Sequence, residues 1–299
     1  MNKSVIVIYH DKCDDGMGAA LAAFLKFGDD ADYVPANYGD SLPDLVGKDV
    51  YIFDFSYSRE KLLDPSLKAK SITMLDHHKS ALEEWGTSLY YDSENNILVG
   101  FNMSKSGAML AWEYLHESTP PPLLIQHVQD NDLWKFSMKN TKPFIRNLRS
   151  YPQSISSWVE LLNTLEDKAR YEEFVSAGES QERLFNSQVR SVLNYGELEP
   201  VVLGGVRGLA INSNYLFSSE LGNLVSQISA TFGLVYFINE GEVICSLRSQ
   251  SAGNYDVSIL SKIYGGGGHK NAAGMRMPIK VFMDEILCRS PYSDLSPGY

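Results

Sequence analysis

The sequence predicts an α/β fold of two α/β domains, an N-terminal one on a parallel sheet and a smaller C-terminal one. Short β-branched and aromatic runs alternate with helical stretches in the first half, the pattern of parallel strands joined by helical crossovers. A charged helical stretch then divides the chain, and a second set of strand-like runs follows it. With 299 residues, either one large or two medium domains can bury a proper core.

Taken in order, residues 5–10 (VIVIYH) read as a buried strand and 16–27 (GMGAALAAFLKF) as a small-residue helix. The runs 49–55 (DVYIFDF) and 71–76 (SITMLD) are too short for helices and rich in strand formers. A helix is expected over 105–117 (KSGAMLAWEYLHE), stopped by STPPP. Residues 154–196 are helical and charged, a packed connector rather than a disordered linker. Strand-like runs return at 200–204, 207–211, 233–238 and 243–247. The expected boundaries are 1–155 for the first domain, 156–198 for the connector and 199–299 for the second domain.

Composition narrows the function. The chain is 44% hydrophobic and 21% charged, ordinary for a soluble protein, and has no apolar run long enough for a membrane span. Its N-terminus lacks a signal-peptide pattern, and its three cysteines (Cys13, Cys245 and Cys288) form no CxxC pair. Both features suit a reducing cytoplasm. The net charge of −11, from 26 basic and 37 acidic residues, argues against a long duplex partner. A small phosphorylated substrate is compatible with that charge, because a bound metal supplies local positive charge.

Four short motifs share one placement, with polar residues at or just after the end of a predicted element. They are His10 to Asp15 (HDKCDD), Asp54, the run Asp76-His77-His78, and Asp130 with Asp132 in QDNDLW. In open α/β sheets the carboxyl ends of the strands line the ligand crevice. Each motif alone has an ordinary structural reading as a turn, cap or core histidine. Together they hold three of the six histidines, and their mixed oxygen and nitrogen donors suit Mn²⁺ or another borderline divalent ion. Further on, YGGGGHKNAAG (264–274) reads as a glycine nest for an anion, with Gly266, Gly267, Gly268 and His269 as contacts. Arg248 ends a predicted strand and could clamp a phosphate oxygen, while Tyr255 or Tyr264 could stack a base.

The segments LDHHKS, DFS, DNDLW and GGGGHKNAAG resemble the DHH phosphoesterase superfamily, in the branch with a glycine-rich DHH-associated C-terminal domain. The resemblance runs from about residue 5 to 280. It implies two α/β domains facing each other over a cleft, the first binding manganese, usually two ions, and the second holding substrate. By motif, it implies that Asp54 bridges two ions, that His10 helps hold the first, and that Asp15, His77 and Asp130 help hold the second. His78 would face the scissile phosphate, Arg248 and His269 would clamp the substrate, and Asp76 would orient the histidine ligands. The first motif departs from the usual pattern, in which two aspartates lie four and six residues after the histidine. Here Asp14 and Asp15 lie four and five on, and the HxxCxDG form puts Cys13 in place of the first aspartate. A thiolate matches Mn²⁺ poorly, so the first ion is weak, absent, or held by Asp14 instead.

The expected chemistry is therefore hydrolysis of a phosphoester by metal-activated water, with Mn²⁺ as cofactor in one or two ions and Mg²⁺ or Co²⁺ as substitutes. Expected substrates are linear dinucleotides, nanoRNA or short oligonucleotides, bisphosphate mononucleotides or a cyclic nucleotide. The partner is then a small nucleotide, with no membrane and no long duplex, and the family implies a homodimer as one assembly state. Three rivals stand beside this reading. They are a single-strand exonuclease of the RecJ type, a manganese pyrophosphatase, and a nucleotide-sensing module whose catalysis the Cys13 change has weakened.

Overall fold

A computed structural model describes residues 3–253 and 255–287, so Cys288 lies outside the described residues. The chain divides into two compact units, 1–184 and 185–299. Among the described residues no helix is long and apolar enough to cross a membrane.

The first unit carries β1 (Val5–His10), β2 (Ala31–Ala36), β3 (Asp49–Phe53), β4 (Ser71–Asp76), β5 (Leu89–Asp92) and β6 (Ile97–Phe101) in one sheet, ordered β2-β1-β3-β4-β6-β5. All neighbours are parallel except the β5/β6 pair. Both faces are buried, and strand β1 shows how. Val7 and Tyr9 join one core while Ile6 and Ile8 join the other, as the two-residue period of a strand requires. Helices α1 (Asp14–Phe27), α2 (Arg59–Leu62), α3 (Lys79–Trp85), α4 (Gly107–His116), α5 (Leu123–Asp132), α6 (Thr141–Leu148), α7 (Ile155–Leu165) and α8 (Lys168–Tyr195) complete this part of the chain. The boundary between the units falls inside α8.

Small residues bring α1 close. Ala19, Ala20, Ala22 and Ala23 are fully buried in the first core, and a Cβ on Gly18 would lie 2.8 Å from the Ala108 methyl of α4. The strand order reverses between β1 and β3, the kind of switch point at which open α/β sheets bind ligands. Strand β2 was absent from the sequence expectation. Its Pro35 lowers strand propensity, and an edge position is where a sheet tolerates proline.

The second unit holds β7 (Glu199–Leu203), β8 (Val206–Asn212), β9 (Phe232–Asn239), β10 (Glu242–Ser249), β11 (Gly267–His269) and β12 (Ala272–Pro278), ordered β11-β12-β10-β9-β8-β7. Only β8 and β9 are parallel, joined by the crossover helix α9 (Ser218–Ser229); a short α10 (Val257–Lys262) precedes β11. The α9 residues Leu221 and Val225 share a core with Val235, while Leu234 and Tyr236 pack on the opposite face of the sheet. At Gly208 of β8 a Cβ would lie 2.5 Å from the Phe232 ring, so the glycine leaves room for the fully buried phenyl group that β9 carries. Phe232→Ala is expected to cost the second unit about 3–5 kcal/mol, read as a lower urea midpoint of the full chain.

Candidate metal centre

Strands β1, β3 and β4 are sheet neighbours, and each of them delivers a motif residue at its carboxyl end. His10 is the last residue of β1, Asp54 follows β3, and Asp76 closes β4 ahead of His77 and His78. Asp54 takes a left-handed backbone, φ +57°, which aspartate tolerates better than most side chains. Helix α4 begins against it. A Cβ on Gly107 would sit 2.2 Å from the Asp54 Cβ, so only glycine fits there. Gly16 does the same for α1, where a Cβ would fall 2.2 Å from the His10 carbonyl oxygen.

The side chains converge on one imidazole nitrogen. His77 Nε2 lies 3.1 Å from Asp54 Oδ1, 3.5 Å from Asp15 Oδ2 and 3.5 Å from Asp132 Oδ2. His77, Asp15 and Asp54 are each 1% exposed. Asp54 also faces the opposite way, with Oδ2 3.7 Å from His10 Nδ1, too long for a hydrogen bond. Donor atoms of His10, Cys13 and Asp54 all lie within 4.8 Å of one another, as do those of Asp15, His77 and Asp132. Asp54 thus stands between two donor groups.

A divalent cation fits this arrangement. His10 Nδ1, Asp54 Oδ2 and Asp132 Oδ2 are buried without a hydrogen-bond partner, an expensive condition unless another group satisfies them. The charges agree. Burial, Asp54 and Asp132 push the Asp15 carboxyl well above its ordinary value, and burial with Asp54 beside it also raises Asp132. Against the effect of burial, Asp132, Asp54 and Asp15 raise His77 well above 6.5. Burial opposes the Asp54 charge, but the His10 and His77 imidazoles outweigh it and hold that carboxyl well below the usual range. The cluster therefore calls for positive charge, which a divalent ion supplies.

The remaining expected residues sort by what they touch. Asp130 does not join the cluster. Its carboxylate accepts from Ser137 N (2.8 Å), Ser137 Oγ (2.7 Å), Met138 N (3.0 Å) and Thr141 Oγ1 (2.6 Å), and so it ties down the α5–α6 loop. The aspartate that reaches His77 is Asp132. Two residues apart on a helix means about 200° of rotation, so Asp130 and Asp132 cannot face the same centre. Asp14 pairs with Arg149, Oδ2 to Nε 2.7 Å, and is likewise outside the described donor groups.

Asp15 also accepts the backbone N–H groups of Gly107 and Ala108 at the start of α4, which anchors that helix while it faces His77. Asp76 accepts from Ser56 Oγ at 2.6 Å and from His77 N at 2.7 Å, and its Oδ1 lies 2.7 Å from His78 Nδ1. It therefore fixes the His78 ring, and it raises the His78 pKa against the opposing effect of burial. Cys13 sits at the N-cap of α1. Burial and the carboxylates of Asp54, Asp132 and Asp15 push its thiol well above its ordinary value, which disfavours a nucleophilic thiolate.

Tyr38, which carries no sequence signal, has its ring 5.9 Å from that of His10 and 6.0 Å from that of His78. Gly107 and Ser56 also escaped the sequence reading, because their partners are distant in the chain.

In the second unit, Arg248 Nη1 donates to Leu247 O at 2.9 Å and Nη2 to Ser219 Oγ at 3.0 Å. Burial lowers its pKa to about 10. The glycine run is not an open nest. Gly265 N and Gly266 N donate to the Lys262 and Ser261 carbonyls at the end of α10, while Gly267, Gly268 and His269 form β11 against β12. A Cβ on Gly266 would lie 2.2 Å from Gly274 O, so close packing requires that glycine. Tyr264 packs against the core of the second unit rather than standing out as a stacking platform.

No protein-family model matches the chain. Protein R106 of Acanthamoeba polyphaga mimivirus, named only as uncharacterized, is 28% identical over 299 residues, covering 90% of this chain and 66% of its own length. Oligoribonuclease NrnB of Bacillus subtilis is 24% identical over 303 residues, covering 90% of this chain and 72% of its own. The chain therefore spans about two thirds of the viral relative's length. Among solved structures, the pGpG-specific phosphodiesterase PggH of Vibrio cholerae aligns with a TM-score of 0.49 at 12% identity, over 94% of this chain and 96% of its own. RecJ of Thermus thermophilus in complex with Mn²⁺ aligns at 0.47 and 14% identity, over 94% of this chain and 50% of its own.

The fold and the buried cluster define a class, an α/β protein with an Asp/His centre at the carboxyl ends of parallel strands. The run Asp76-His77-His78 and the 24% identity to the oligoribonuclease NrnB make the chain similar to the DHH phosphoesterases.

Asp130→Ala is expected to lose about 3 kcal/mol of stability in urea unfolding and to keep the metal stoichiometry seen by mass spectrometry. Asp132→Ala should do the reverse, weakening metal binding while the metal-free fold holds. In the metal-free protein the raised Asp15 and Asp132 carry extra protons above 3.8, and the raised His77 does so above 6.5. Stability from these groups is therefore lost as pH rises, while Asp54, held low, loses its contribution as pH falls below 3.8. Melting with a chelator should thus give a lower Tm at pH 8 than at pH 5, and Mn²⁺ should remove most of the difference.

Proposed function

We propose that the protein is a divalent-metal-dependent phosphodiesterase that hydrolyses short nucleotide substrates such as linear dinucleotides, nanoRNA or short oligonucleotides. The working ion is Mn²⁺, with Mg²⁺ or Co²⁺ as substitutes. The observation that carries this reading is the gathering of Asp15, Asp54 and Asp132 around His77 Nε2, with buried oxygens that lack hydrogen bonds. The relationship to the oligoribonuclease NrnB favours short oligonucleotides as substrates. The net charge of −11 favours a small ligand over a long duplex.

A bound divalent ion supplies Lewis-acid activation of water and neutralises charge on phosphoryl oxygens. Asp15, Asp54, His77 and Asp132 hold it, with His10 on the far side of Asp54. His78 acts from beside this group. Asp76 fixes its Nδ1, so the ring presents a set orientation to a phosphate and can donate a proton to the leaving oxygen. In the second unit, the half-buried Arg248 guanidinium donates to Leu247 O and Ser219 Oγ and keeps its positive charge available for an anion.

The test is a hydrolysis panel with Mn²⁺ that offers pGpG, pApA, a five-nucleotide RNA, long single-stranded DNA, a 3′,5′-bisphosphate nucleotide, cyclic AMP and pyrophosphate. Preferential cleavage of the dinucleotides and the short RNA is expected. His78→Ala should lower kcat by roughly 10²–10⁴-fold with metal content unchanged. Cleavage of nothing, or rapid loss of long single strands in preference to short ones, would overturn the reading.

A further inference from the structure

We propose that the two sides of this centre are chemically unlike, and that the side built from His10, Cys13 and Asp54 binds a softer divalent ion of the zinc, cobalt or iron(II) class through the Cys13 sulfur. This rests on the metal-dependent reading above and deepens it. It concerns which ion each set of residues accepts.

The geometry is local and built. Cys13 Sγ, a His10 ring nitrogen and an Asp54 carboxylate oxygen lie within 4.8 Å of one another. Two of the three residues point unsatisfied polar atoms into this space. His10 Nδ1 and Asp54 Oδ2 are buried, lack hydrogen bonds, and stand 3.7 Å apart. That spacing is too long for a hydrogen bond and suits two donors that share one ion at about 2.0–2.2 Å each. Asp54 is 1% exposed, so its second oxygen has no recourse to bulk water.

Cys13 itself occupies a position that a capping residue would normally use. It is the N-cap of α1 with extended backbone, φ −122° and ψ 136°, yet its side chain makes no cap hydrogen bond. An aspartate or serine there would contribute about 1 kcal/mol to the helix, and cysteine forgoes it. The approach is tightly fixed on both sides. Lys12 turns through a left-handed conformation, φ +52°, and Gly16 lets α1 press against the His10 carbonyl. Sulfur is therefore held beside imidazole and carboxylate by the backbone itself.

Donor chemistry then separates the two sides. Asp15, Asp54, Asp132 and His77 offer three oxygens and one nitrogen, a set suited to Mn²⁺ or Mg²⁺. His10, Cys13 and Asp54 offer one nitrogen, one sulfur and one oxygen, a set that favours softer ions. On ligation the thiol exchanges its proton for the ion, and that proton passes to solvent. No oxidant or reductant is involved.

The test begins with the metal-free full chain titrated with Co²⁺. Two ions per chain are expected, one of them giving the near-ultraviolet band of a thiolate-to-cobalt charge transfer. Cys13→Ser should abolish that band, while Cys13→Asp should abolish it and bind a second Mn²⁺ at least about 10-fold more tightly than the native protein does. Circular dichroism checks that the variants fold. X-ray absorption on the native protein loaded with zinc needs no variant and should show a sulfur neighbour at about 2.3 Å. A zinc shell of only nitrogen and oxygen overturns the proposal, as does a charge-transfer band that survives in a folded Cys13→Ser. Native protein that binds two Mn²⁺ as tightly as Cys13→Asp also overturns it. The sulfur band without cleavage of any nucleotide would overturn the phosphodiesterase reading alone. Cleavage with two ions bound only by nitrogen and oxygen would overturn this inference alone.

Discussion

Three carboxylates crowd a single imidazole nitrogen, two of them almost wholly buried, and the structure around them is arranged to hold that crowding in place. Asp15, Asp54 and Asp132 repel one another, and burial removes the solvent that would screen them. Left alone, such a cluster favours taking up protons, and the raised positions of Asp15, Asp132 and His77 are its expression. A divalent cation answers the same demand with two charges at one point. The electrostatic cost of the cluster and its chemical use therefore have one origin.

The scaffold holds this arrangement by close backbone approach. Gly107 lets α4 start against Asp54, whose own backbone is left-handed, and Gly16 lets α1 start against His10. The same α4 N-terminus donates two backbone N–H groups to Asp15, so one carboxylate anchors a helix while it faces the imidazole. Around this group a further layer fixes orientation. Ser56 and the His77 backbone N–H hold Asp76, and Asp76 holds the His78 ring. A ring positioned through two relays keeps its direction without depending on solvent.

Much of this was legible along the chain. The strands that end in or just before His10, Asp54 and Asp76 are short runs of strand formers that break at a polar residue, and the structure places all three ends side by side. Other features were hidden for physical reasons. Asp130 and Asp132 are equivalent as letters, and only the turn of α5 separates them, giving one to the α5–α6 loop and the other to His77. The glycine run suggests an open nest, whereas Gly266 is needed because β12 passes too close for a side chain. Tyr38 stands near His10 and His78 with nothing in its neighbouring residues to announce it.

Local pattern alone was enough for the α/β class, the alternation of strands and helices, and the residue types of the centre. Those follow from two-residue and 3.6-residue periodicities and from side-chain chemistry, which any single stretch of chain carries. The membership of the centre was decided in three dimensions. Which oxygen meets which nitrogen depends on helix rotation and strand order across residues as far apart as Asp15 and Asp132, and no local stretch encodes that distance. Cys13 shows both sides of this division. Its place in HDKCDDG marks the departure from the pattern of the family that the sequence resembles, but only the fold sets its sulfur beside His10 and Asp54.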